Sequence, residues 1–396
     1  MRGKMKMNST ESLIWSSFVL SIILETLVLM EVIPDNKIVK TVQYIILLVP
    51  ASLCLLVMAS SRKGFRSRPF WQELRSGLIL IFVFGILSLY KSYTAGRFTY
   101  QSIMQLFQII VPFVFTYVLI NEMNSDNIES FMKIALWVTT VGYLAAVIAN
   151  LNSLTSVFNV SIFSSYSPFE NSTYAEIASG LAAYFIYFRK KMPRYAFIAV
   201  VLNFLIFKRV LMLMAIILLI ISLQGKQDEE VSKRMFKISV VSWILLIVST
   251  YFLYQPETAQ MLKSRYNIDL ASFTMARIYR LWYVYETNFI SYGLGSTQEY
   301  INSQRLSYLG FDFEMDFIRI MFELGIVAII VFVYLYLSIT KRNKYAFYLI
   351  NLCFINLLMA NGLLKYWGWT VRLVTIALIN YNVNTKNTKG GEVYSK

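Results

Sequence analysis

Apolar residues fall in long runs separated by short polar or basic segments. Twelve such runs stand out: 12–33, 39–60, 76–90, 103–120, 131–150, 174–188, 195–207, 210–223, 238–254, 317–339, 346–360 and 367–381. A helix needs about 20 mostly apolar residues to cross a bilayer. Several runs approach that length and are apolar on all sides, unlike the one-sided stripe of a soluble surface helix. The pattern predicts an all-α polytopic integral membrane protein, a single transmembrane domain over 1–396 with about 12 transmembrane helices. The first run follows Arg2, Lys4 and Lys6, as a signal peptide would. Its apolar stretch is too long for a signal h-region and no A-x-A site follows, so it reads as the first span. The stretch 195–223 reads either as one helix interrupted by Lys208 and Arg209 or as two half-length spans meeting at a turn.

Charge placement chooses between these and sets the orientation. Lys and Arg concentrate on the cytoplasmic side of membrane proteins. Basic clusters occur in the N-terminal tail, at Arg62–Arg75, Arg189–Arg194, Lys226–Lys237 and Lys341–Lys344, and in the C-terminal tail. Two half-length spans put all of them on one side, with both termini cytoplasmic. The net charge of +15 is thereby mostly topological, and a nucleic-acid partner is not expected. The composition agrees: 57% hydrophobic and only 15% charged is too apolar for a soluble enzyme. Soluble domains carry about 25% charged residues.

The chain contains no histidine. That excludes Ser-His-Asp and Cys-His triads, His-ligated zinc and haem, and His pH switches. Cys54 and Cys353 both lie in apolar runs with no CxxC neighbour, and read as small buried hydrophobes. Neither a metal nor an organic cofactor is expected.

The one large segment outside the runs is 255–315, expected as an extracytoplasmic loop between the ninth and tenth spans. Loops longer than about 15 residues usually carry function or disorder. Within it, 274–287 reads TMARIYRLWYVYET. Met275, Ile278, Leu281 or Trp282, and Tyr285 recur at helical spacing, which predicts an amphipathic helix lying at the membrane–water interface. Arg277 and Arg280 are three apart and share a face. Two planar guanidinium forks at that depth suit a lipid phosphate or diphosphate. They suit bulk anionic headgroups equally well. Gly293 and Gly295 follow in Tyr292-Gly-Leu-Gly-Ser296, as either a close approach to a ligand or an ordinary tight turn.

The re-entry into the membrane is also charged. Asp312, Glu314 and Asp316 stand at the mouth of the tenth span, and Arg319, Glu323 and Gly325 in its first turns. Ionisable groups inside a span are costly and are functional candidates by default. The competing reading of Arg319 and Glu323, four apart, is a structural ion pair. For Arg209, Lys365 and Arg372 it is snorkelling to the interface.

The order of these features resembles the O-antigen ligase / Wzy-type polysaccharide polymerase superfamily. The residues that carry the resemblance are Phe207-Lys208-Arg209 between two short spans, Arg277 before Trp282 and the Gly293–Gly295 step, the large outer loop ahead of the last three spans, and Glu323-Leu324-Gly325 before an apolar run. It covers the second half of the chain. Ligases of that superfamily often carry a histidine where this chain has Glu314-Met315-Asp316, so a capsule or O-antigen polymerase fits better than a ligase.

The resemblance implies glycosyl transfer between undecaprenyl-diphosphate-linked oligosaccharides at the outer face of a bacterial cytoplasmic membrane, without a metal. It implies that Arg277 is catalytic at the departing diphosphate, and that Arg209 and Arg280 bind substrate. Gly293, Gly295 and Arg319 are further substrate-binding candidates, and Asp316 or Glu314 is the candidate general base. The implied partners are lipid-linked glycans, membrane lipids, and flippase and chain-length regulator proteins. A lipid-linked-oligosaccharide flippase or other transporter is the alternative from another class. It would show two similar halves, and the sequence shows none.

Overall fold

The computed structural model describes residues 9–30, 32–34, 37–60, 65–150, 170–225, 227–274, 276–304 and 313–391. The segment 151–171, expected on the outer side, falls almost entirely outside these residues, as do Met275 and Asp312. The described residues contain no strand. The helices are α1 (Ser9–Leu29), α2 (Lys37–Ser60), α3 (Trp71–Ala95), α4 (Tyr100–Glu122), α5 (Ser125–Asn150), α6 (Ser172–Tyr187), α7 (Pro193–Leu205), α8 (Arg209–Leu223), α9 (Lys233–Leu253), α10 (Pro256–Tyr266), α11 (Leu270–Phe273), α12 (Ile278–Glu286), α13 (Ser296–Gln304), α14 (Asp316–Leu324), α15 (Ile326–Ser338), α16 (Lys344–Met359) and α17 (Tyr366–Gly391). Six of them, α1 to α5 and α9, are long and apolar enough to cross a membrane. Helices α7, α8, α15 and α16 are apolar but shorter.

Each of the twelve apolar runs overlies a helix, with the tenth divided in two and the helix on the twelfth, α17, running on to Gly391, ten residues past its run. The tenth run divides at Gly325 into α14 and α15. Gly325 has φ +85°, a conformation that costs any other residue. The break lets an amphipathic α14 precede the all-apolar α15. The stretch 195–223 is two helices. The Asn203 amide donates to the Leu211 carbonyl at 2.9 Å. Residues eight apart on a continuous helix would be separated by roughly 12 Å, so the chain turns back at Ile206–Lys208.

The chain forms two compact units. The first comprises Met1–Leu74, Val111–Asp228 and Lys365–Lys396, and the second Arg75–Ile110 and Glu229–Leu364. In the first, α6 is the central helix, buried at every residue from Thr173 to Tyr187. Asn171 starts it by accepting from the Thr173 and Tyr174 amides, satisfying donors that a helix leaves open. Small residues let α17 approach closely. A Cβ on Gly368 would come within 2.8 Å of the Glu176 Cβ, and one on Gly180 within 3.0 Å of Val371.

In the second unit, Trp243, Phe317, Phe332 and Phe354 from α9, α14, α15 and α16 form an aromatic core. Their ring centroids lie 5.2–5.4 Å apart for Phe317–Phe354, Phe317–Phe332 and Trp243–Phe354. A neighbouring cluster gathers Tyr254, Ala271, Ile278, Leu281, Val284, Ile301, Phe313, Met315 and Ile318. This second cluster holds α12 in place.

Candidate functional site

Helix α12 is shorter than the sequence pattern predicts, beginning at Ile278 rather than Thr274. Ala276 takes a positive φ of 64° just before it. Its inward face is Ile278, Leu281 and Val284, all fully buried in the protein cluster. The aromatic flank is also engaged by protein. The Trp282 indole donates to the Tyr254 carbonyl at 2.9 Å, and the Tyr285 hydroxyl donates to Tyr251 at 2.6 Å.

Holding α12 by that face turns Arg277 and Arg280 to the other side. There they meet Glu314, which sits just ahead of α14. The Arg277 Nε pairs with Glu314 Oε2, and the Arg280 Nη1 stands 3.8 Å from the same oxygen. The side chains of Arg277 and Glu314 are each 25% exposed and that of Arg280 17%. Two cations thus face one carboxylate in a cluster whose three side chains are all partly exposed.

Asp316 and Arg319 behave differently. Asp316 is 1% exposed, and its carboxylate accepts from the backbone amides of Gly362 at 2.6 Å and Leu363 at 2.7 Å. The Arg319 guanidinium lies 2.8 Å from the other carboxylate oxygen. Asp316 thus ties the start of α14 to the segment after α16. Arg319, 3% exposed, pairs with the residue three before it and not with Glu323.

Glu323 instead holds the glycine turn. Its carboxylate accepts from the Gly295 amide at 2.7 Å and the Thr297 amide at 3.0 Å, and from the Thr297 hydroxyl. Residues 291–297 are buried throughout. Ser92 donates to the Tyr292 carbonyl and Ser102 to the Leu294 carbonyl, both at 2.7 Å. A Cβ on Gly295 would lie 2.7 Å from the Gln105 amide, and one on Gly293 3.1 Å from the Ser88 carbonyl. The close backbone approach that these glycines permit is to other protein segments.

Arg209 belongs to the first unit, as the first residue of α8. That unit carries an ionic cluster that the sequence reading did not assemble. Glu176 of α6, fully buried, accepts from Arg372 of α17 at 2.5 Å and from Lys208 at 3.3 Å. Arg372 also donates to the Ser179 hydroxyl at 2.5 Å and lies over the Trp369 ring. Lys365 reaches the Thr173 hydroxyl at 3.4 Å. The snorkelling expected of Arg372 is not what occurs: it is 1% exposed. The available signal was Glu176 itself, a lone carboxylate in an apolar run.

Among the described residues no group of His, Cys, Asp or Glu side chains is arranged to hold a metal ion. Comparison of the chain with protein-family models, with curated proteins and with solved structures gives no match.

Proposed function

We propose that this protein is a membrane glycosyltransferase of the Wzy polymerase type, joining lipid-diphosphate-linked oligosaccharide repeats. The observation that carries the reading is the convergence of Arg277 and Arg280 on the partly exposed Glu314. A diphosphate offers several oxygens to guanidinium forks and would outcompete one carboxylate for them. Binding it would release Glu314. In the proposed reaction the bond between the sugar anomeric carbon and the diphosphate oxygen breaks, and Arg277 and Arg280 take up the departing charge. The acceptor hydroxyl forms the new glycosidic bond, and its proton passes to the freed Glu314 carboxylate. Asp316 is a weaker candidate for that base, because its carboxylate is already committed to Gly362, Leu363 and Arg319. Arg209 is retained as a substrate-binding candidate, in the other unit.

The proposed setting is a bacterial cytoplasmic membrane. The six long helices, the four shorter apolar ones, α6 and α17 would supply twelve crossings, with both termini cytoplasmic and 255–315 outside. One observation favours a second reading, transport of the lipid-linked unit. Glu176, Lys208 and Arg372 form a buried charge cluster beside the α7–α8 break, and such clusters mark ion and substrate pathways in carriers. Deleting the gene in its polysaccharide-producing host separates the two. Single lipid-linked repeats on the outer face with no polymer are expected; repeats trapped on the cytoplasmic face would establish transport instead.

A further inference from the structure

Helices α9 and α16 leave a groove of about 670 Å³ between them, within the second unit. That volume lies in the roughly 300–1,000 Å³ range of small-ligand sites. On α9 its wall is Met235, Ile238, Ser239, Ser242 and Leu246, a stripe at helical spacing. On α16 it is Phe347, Tyr348 and Asn351, and Trp243 forms the floor. The polar atoms of the floor satisfy one another. Ser239 and the Trp243 indole both donate to the Asn351 amide oxygen at 2.7 Å. The Asn351 amide nitrogen in turn donates to the Phe347 carbonyl at 2.7 Å. Away from Arg234 the groove is lined mainly by hydrocarbon, on a helix that is mostly exposed.

One end of the groove is strongly basic. Helices α9 and α16 start at the same level, because Val231 donates to the Lys341 carbonyl and Lys344 to the Glu229 carbonyl. Lys233, Arg234 and Lys237 are exposed there, and Arg234 lines the groove itself. Lys344 is paired with Glu229, and Lys341 lies over the Phe236 and Tyr334 rings. No carboxylate pairs with Lys233, Arg234 or Lys237 among the described residues. An apolar slot ending in three exposed cations with no ion-pair partner among the described residues is complementary to an anionic headgroup on a hydrocarbon chain.

We propose that this groove is a specific binding site for an anionic phospholipid, its phosphate at Arg234 with Lys233 and Lys237, and an acyl chain along Ile238, Ser242 and Leu246. Basic pockets between membrane helices bind such headgroups in this way. In the proposed topology the site faces the cytoplasmic leaflet. It is independent of the glycosyl-transfer reading, since none of its residues belongs to the Arg277–Glu314 site.

Native mass spectrometry of the full-length protein in detergent, with phosphatidylglycerol or phosphatidylcholine of matched acyl chains, tests this. The wild type should retain one phosphatidylglycerol in preference to phosphatidylcholine. Arg234→Gln should weaken retention about fivefold, the effect of one cation near a lipid headgroup. Ser242→Trp fills the slot with the cations intact and should abolish the preference. Equal retention of the two lipids, or an unchanged preference in Ser242→Trp, overturns the proposal. Should Ser242→Trp not fold, quenching of tryptophan fluorescence by brominated phosphatidylglycerol serves instead. Quenching should fall in Trp243→Phe; quenching equal to wild type would overturn the site.

Discussion

Glu176 and Glu314 each face two cations, and the two sites differ in their access to water. Glu176 is sealed inside the first unit, with Arg372 and Lys208 held by α17 and the α7–α8 turn. Glu314 lies at a partly open edge of the second unit, with Arg277 and Arg280 presented by one short helix. In the first site the charges cannot re-solvate, so removing one partner leaves the others buried and uncompensated. In the second, partial exposure weakens the pair, and the proposed function has an incoming diphosphate replace the carboxylate. The same charge arithmetic therefore gives a sealed structural tie in one place and, in the proposed function, an anion site in the other.

This contrast can be broken by stability measurements on single variants. The largest effect should come from Glu176→Gln, which strands Arg372 and Lys208. Thermal or denaturant unfolding in detergent should show a loss of about 3–5 kcal/mol, and a variant as stable as wild type would erase the distinction. Gly295→Ala should come next, at about 1–3 kcal/mol, because the residue has φ +82° and a Cβ would meet Gln105. Glu314→Gln should change stability by less than about 1 kcal/mol, while slowing chain extension on lipid-linked repeats. Arg280→Ala should slow chain extension least, since it stands 3.8 Å from Glu314 and Arg277 is closer.

How much of this could be read in the sequence depends on the range of the interaction concerned. The apolar runs mark the helices well, because a run of Leu, Ile, Val and Phe has little choice but to form a helix that buries its backbone polar groups. Run 317–339 concealed one break, since Leu324-Gly325-Ile326 is apolar throughout and only the positive φ of Gly325 exposes it. The shared face of Arg277 and Arg280 follows from their spacing alone. Their meeting with Glu314 does not, since Glu314 lies 34 and 37 positions further along the chain and the fold of α13 and α14 decides it. Asp316 and Glu323 were equally opaque. A carboxylate near a helix start suggests chemistry or a cap, and only the arrival of Gly362 and Leu363, or of Gly295 and Thr297, shows that each is spent on backbone amides. Glu176 went unnoticed because its partners lie 32 and 196 residues away.

The most direct test of the proposed anion site replaces Arg277 with Ala in the native host and measures polymer length, lipid-linked repeats, protein level and unfolding midpoint together. The variant should accumulate single lipid-linked repeats and make no polymer, at normal protein level and with a midpoint close to wild type. Normal polymer from that variant would contradict the account.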